Sequence, residues 1–70
     1  MSRNMKNILP VYEMQMAKAE YHKRAAEILT VMLDNETDPG EKKRLFARRS
    51  HHRRLNRKYM AWAEIVLNGG

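Results

Sequence analysis

The sequence predicts an all-α protein: a two-helix antiparallel hairpin that pairs with a second copy of itself as a four-helix bundle. Three observations predict it. The apolar residues, 43% of the chain, are mostly Met, Leu, Ala and Ile, and only two Pro and three Gly interrupt 70 residues, a composition that favours helices. On both sides of the segment Asp38, Pro39, Gly40, Glu41, apolar residues recur at steps of three and four, the helical period. A chain this short without cysteine has neither a large core nor a disulfide framework, so association is its remaining source of stability.

In chain order, residues 1–9 read as a mobile N-terminal arm and residues 10–67 as one hairpin domain. Pro10 suits the first turn of a helix, where its missing N–H is not needed. The first helix is expected over 10–35, with a seam through Val11, Met14, Tyr21, Ala25, Ile28 and Met32 in which Lys18 is the one exception. Asp34, Asn35, Glu36 and Thr37 end it, because short polar side chains compete for backbone hydrogen bonds. Asp38 as N-cap, Pro39 in the first turn and Glu41 three residues after the cap form a capping-box pattern. The second helix is expected over 39–67, with a seam through Leu45, Arg48, His52, Leu55, Tyr59, Trp62 and Val66, and 68–70 form a C-terminal tail. Helices of this size are about 40 Å long, and so short a turn makes them antiparallel neighbours. That register places Met32 opposite Leu45, Ala25 opposite His52, Lys18 opposite Tyr59, Met14 opposite Trp62 and Val11 opposite Val66.

One residue beyond each seam position runs a second stripe, Tyr12, Ala19, Ala26 and Leu33 on the first helix and Phe46, Arg53, Met60 and Leu67 on the second. An apolar face wider than one seam either widens the contact within one hairpin or calls for a second partner surface, and the second is expected. The dimer interface is therefore expected at Tyr12, Ala19, Ala26, Leu33, Met60 and Leu67. On the first helix Glu13, Glu20, Glu27 and Asp34 recur every seven residues as an acidic stripe, a solvated face or a pairing surface for the basic helix of a sister hairpin.

The charge is local. Residues 41–58 hold nine Lys or Arg against one acid, a net +8, whereas residues 1–40 are close to neutral. A local positive field selects anionic partners. Arg48, Arg49, His52 and Arg53 interrupt both stripes over two turns, and local rules broken in this way mark candidate functional surface.

Several classes are disfavoured. No apolar run reaches the roughly 18 residues of a membrane span, and MSRNMKNILP lacks the apolar centre of a secretory signal, so a cytoplasmic protein is expected. His51 and His52 are adjacent and His22 lies on the other helix, so no helical i, i+4 pair is present to hold a metal. There is no thiol, Ser50 and His51 are neighbours that diverge on a helix, and the acids lie along a convex face, which leaves no catalytic pair. Two helices offer little pocket for a small-molecule substrate or cofactor. An enzyme is not expected.

Two kinds of partner remain. A protein with an acidic or DNA-contacting surface would dock on Phe46, Arg48, Arg49, His52, Arg53, Arg57 and Met60, since arginine and aromatic residues dominate interface hot spots. Nucleic acid would instead be held by Lys42, Lys43, Arg49, Arg53, Arg54, Arg57 and Lys58 through phosphate contacts, although no helix-turn-helix spacing accompanies the basic run and its single aromatic, Phe46, is not a platform of stacking rings.

In length, in its Asp38–Glu41 turn and in the expected dimer, the chain resembles small phage- or plasmid-encoded helical-hairpin regulators. The resemblance is architectural. Its topology is similar to that of plasmid copy-number proteins of the Rop type, which bind paired RNA loops. Its size is similar to that of anti-activators that inhibit a host transcription or quorum-sensing regulator. The anti-activator likeness implies an inhibitor of a host regulatory protein acting in the host cytoplasm. The Rop likeness implies a homodimer that binds nucleic acid.

Overall fold

Two helices account for nearly the whole described chain: α1 over Met5–Asn35 and α2 over Pro39–Leu67. The structure, a computed structural model, describes residues 5–69, with side chains from residue 8 onward. The two helices pack along their length as an antiparallel hairpin 57 × 15 × 11 Å in extent. The all-α hairpin expected from composition and period is the observed architecture.

α1 begins earlier than expected. Residues 5–9, assigned to a mobile arm, are helical, and Pro10 lies inside the helix; residues 1–4 and 70 lie outside the described residues. Near a helix end Pro10 costs one backbone hydrogen bond. Ile8, four residues before Tyr12, extends the half-buried face by another turn, and that packing offsets the cost.

The turn is built as its residues dictate. The Asp38 backbone is extended (φ −77°, ψ 122°) and its carboxylate accepts from the Glu41 N–H at 2.8 Å, which satisfies one of the free donors at the start of α2. Glu36 supports the approach, its Oε1 accepting from the N–H groups of Thr37 and Asp38 at 3.1 and 3.0 Å. At the far end the Asn68 N–H bonds to the Glu64 carbonyl at 2.9 Å, and Gly69 takes φ +75°, the left-handed conformation that glycine adopts without steric cost as a helix stops.

The seam between the helices falls one residue away from its expected place on α1. Ile8, Tyr12, Gln15, Ala19, His22, Ala26, Leu29 and Leu33 face α2, with Ala19, Ala26 and Leu29 fully buried. Val11, Met14, Tyr21, Ile28 and Met32 are exposed instead. Both lines have a 3.5-residue period. The occupied one carries no charge from Ile8 to Leu33, whereas the other contains Lys18, and an ammonium is costly to bury. Ala19 and Ala26 also let the two backbones approach closely.

On α2 the seam runs Leu45, Arg49, His52, Asn56, Tyr59, Ala63 and Val66, with Leu45 and Ala63 buried. Leu45, His52, Tyr59 and Val66 stand where expected, while Arg49, Asn56 and Ala63 replace Arg48, Leu55 and Trp62. Trp62 is half exposed, and Met14 likewise. The pair expected to close the open end of the hairpin, Met14 and Trp62, thus lies outside the buried seam.

Candidate docking surface

The middle of the seam is polar, and several of its groups pair across the hairpin. Asn56 Nδ2 donates to the Ala19 carbonyl at 2.7 Å, and the Nδ1 atoms of His22 and His52 are 2.8 Å apart. The His22 ring stacks on Tyr59 with centroids 5.6 Å apart and planes 7° from parallel, and Lys18 Nζ lies 5.4 Å from the Tyr59 ring centre. Lys18 thus meets Tyr59 as the register predicts.

His52 is half-buried. Burial, then the neighbouring His22, His51 and Arg48, hold its pKa below the ordinary value of 6.5. Its ring belongs to the hairpin seam, so the surface role expected for it does not match its position: His52 connects α2 to α1.

Arg49 is also turned inward. Its Nη1 donates to Thr30 Oγ1 at 3.4 Å, its guanidinium carbon lies 5.1 Å from the centre of the Phe46 ring, and its buried Nε has no hydrogen-bond partner. Arg49 therefore supports Phe46 from beneath, and the Phe46 ring is left 55% exposed.

The remaining candidates divide by their angle on the helix. Phe46, Arg53 and Met60 follow one another at intervals of seven, nearly in line and about 10 Å apart, and Arg57 is about 40° from Arg53. All four are exposed. Arg48, five residues from Arg53, projects about 140° away, so it does not share their surface. Lys42, Lys43, Arg54 and Lys58 are exposed too, and together with Arg49, Arg53 and Arg57 they spread over about half the circumference of α2.

Beside the Phe46, Arg53, Met60 line lies an open groove of about 420 Å³, lined by Lys23, Ala26, Glu27 and Thr30 of α1 with Arg53, Asn56 and Arg57 of α2. Three cations against one carboxylate make it electropositive. Sequence reasoning confined the site to α2 and missed the contribution of Lys23, Glu27 and Thr30. The signal was available in the antiparallel register, which brings Lys23 level with Arg53.

The residues expected at a dimer interface also divide. Ala19 and Ala26 are buried inside the hairpin, and Tyr12 and Leu33 are half-buried there, so these four are taken up by the contact of α1 with α2 and are not an outward face. Met60 and Leu67 are exposed. The acidic stripe Glu13, Glu20, Glu27 and Asp34 is exposed throughout. Among the described residues the ion pairs are intrahelical, Arg24 with Glu20 at 3.0 Å and Arg44 with Glu41 at 3.2 Å.

Comparison with protein families, with curated proteins and with solved structures finds no match to this chain. Among the described residues no helix is long and apolar enough to cross a membrane, and no group of three His, Cys, Asp or Glu is placed to hold a metal ion.

Proposed function

We propose that this is a non-enzymatic regulatory binding protein that docks on, and thereby inhibits, a regulatory protein of its host through the line Phe46, Arg53 and Met60 with Arg57. The observation that carries the reading is that two large apolar side chains, Phe46 and Met60, stay exposed in line with Arg53, beside an electropositive groove. Apolar anchors beside arginine are the pattern of protein hot spots, and phosphate binding has no use for them. Arg49 packs beneath the Phe46 ring, which reduces the ordering cost on binding. The positive groove fits a partner with an acidic surface, or one whose DNA-contacting face carries carboxylates near an apolar pocket.

A photo-crosslinking residue placed at Phe46 tests the reading. Capture of one protein from host extract after nuclease treatment, with no capture from the same probe at Arg48, is the expected result. Equal capture from both positions, or capture lost with nuclease, contradicts it.

The exposed cations Lys42, Lys43, Arg54 and Lys58, on the same half of α2 as Arg53 and Arg57, favour a second reading, a nucleic-acid regulator held through phosphates. A steep fall of log K with log salt, with a slope reduced by about one for each arginine removed, is its signature.

A further inference from the structure

The single hairpin is larger in surface than a folded chain of its mass should be. It exposes 5603 Å², whereas a compact monomer of 8.3 kDa exposes about 4,600 Å². Its radius of gyration is 16.2 Å against about 11 Å for a globular chain of this length. The excess, about 1,000 Å², is close to one partner's share of a standard interface, about 800 Å².

The exposed apolar surface of α1 is ordered. Val11, Met14, Tyr21, Ile28 and Met32 are all exposed, and with Ala25 and Lys18 they form an unbroken alternation of three- and four-residue steps from Val11 to Met32. This is a complete second heptad seam. Every member precedes a member of the hairpin seam by one residue, so it lies about 100° around the helix. That is the geometry of a helix with two helical neighbours. A 3.5-residue repeat held over about 31 Å matches only a partner that is itself a helix lying alongside.

The chemistry of the seam selects the helix. Its one charge, Lys18, is exposed and leans toward the Tyr59 ring, where its ammonium stays hydrated at the edge of the line, and the other six positions are neutral side chains of two sizes, Tyr21 and the methionines beside Ala25. An acidic partner suited to the cationic groove gains nothing there. The corresponding outer line of α2 carries Arg44, Arg48, His51 and Lys58 among Leu55, Trp62 and Ile65, so its charges repel over most of its length and only its C-terminal end is apolar. The α1 seam is matched in length, polarity and period by the same seam of a second chain.

We propose that the protein is a homodimer in which α1 packs against α1 of a second copy through Val11, Met14, Tyr21, Ala25, Ile28 and Met32. This surface lies on the opposite flank of the hairpin from Phe46, Arg53 and Met60, so dimerisation leaves both docking lines open.

Sedimentation equilibrium of the full chain at micromolar concentrations tests the assembly. The wild type is expected at twice its 8.3 kDa mass. Ile28→Glu is expected to raise the dimer dissociation constant at least tenfold, and Met60→Glu to leave it unchanged. A wild-type monomer at tens of micromolar, a dimer that survives Ile28→Glu, or one broken by Met60→Glu overturns the proposal. Should Ile28→Glu lose its helix signal, cysteine crosslinking decides, because the described chain has no cysteine of its own. Tyr21 is at the middle of the seam, so Tyr21→Cys is expected to join two chains through a short bismaleimide whichever way the helices run. Crosslinking from Phe46→Cys in place of Tyr21→Cys overturns the proposal equally.

Discussion

The Nδ1 atoms of His22 and His52 meet at 2.8 Å across the hairpin seam. One ring must donate and the other accept, so the contact is incompatible with two protonated rings. The structure thus places this contact in the middle of the interface between α1 and α2.

Stability should therefore depend on pH. His52 has a folded pKa below its ordinary 6.5, so the unfolded chain binds the proton more readily. The contribution of His52 is complete above 6.5 and is lost as pH falls through 6.5 toward the lowered folded value. Urea unfolding should show a lower midpoint at about pH 5.5 than at pH 7.5, a range above most carboxylate titration. His52→Phe should flatten the difference. An unchanged midpoint in the wild type contradicts the pairing.

The turn depends on one cap. Asp38→Ala removes the acceptor of the Glu41 N–H and should cost about 1 kcal/mol. For a domain of this size that is a fall in Tm of about 4–8 °C, measured at equal protein concentration. Asp38→Asn, which keeps the acceptor oxygen, should retain most of the stability.

Arg49 is predicted to be a net burden on folding. Its Nε is buried without a partner, and replacing such a group with an apolar one of similar size is often neutral or stabilising. Arg49→Met should leave the thermal midpoint equal or higher. A loss of more than about 2 kcal/mol of unfolding free energy would mean that the Thr30 and Phe46 contacts outweigh the lost hydration.

The fold was legible in the sequence because its signals are local. Asp38, Pro39 and Glu41 mark the start of α2, and Asn68 with the glycines marks its end. The seam was harder to read. α1 carries two lines of period 3.5 one residue apart, and apolar content alone does not rank them. The discriminating fact is Lys18, which makes the Val11 line the worse one to bury inside a hairpin. On α2 the polar residues Arg49, His52 and Asn56 occupy seam positions that a hydrophobic pattern does not assign. They are tolerated because Asn56 and His52 find partners on α1. The candidate surface was legible in part. Phe46, Arg53, Arg57 and Met60 share a face, but Arg48 points elsewhere and Arg49 and His52 turn inward. Lys23 and Thr30 came from a helix that the charge count did not draw attention to.

The central claim is that the apolar anchors, and not the charge alone, carry recognition. Affinity for the captured partner, measured across a salt series for the wild type, Phe46→Ala, Met60→Ala and Lys42→Ala, tests it most directly. A shallow salt slope, with Phe46→Ala or Met60→Ala each costing about 1–3 kcal/mol, roughly 5- to 150-fold in Kd, and Lys42→Ala close to neutral, is the result this account predicts. A steep slope to which Lys42 contributes as much as any residue, with Phe46→Ala silent, would contradict it and make the ligand a nucleic acid.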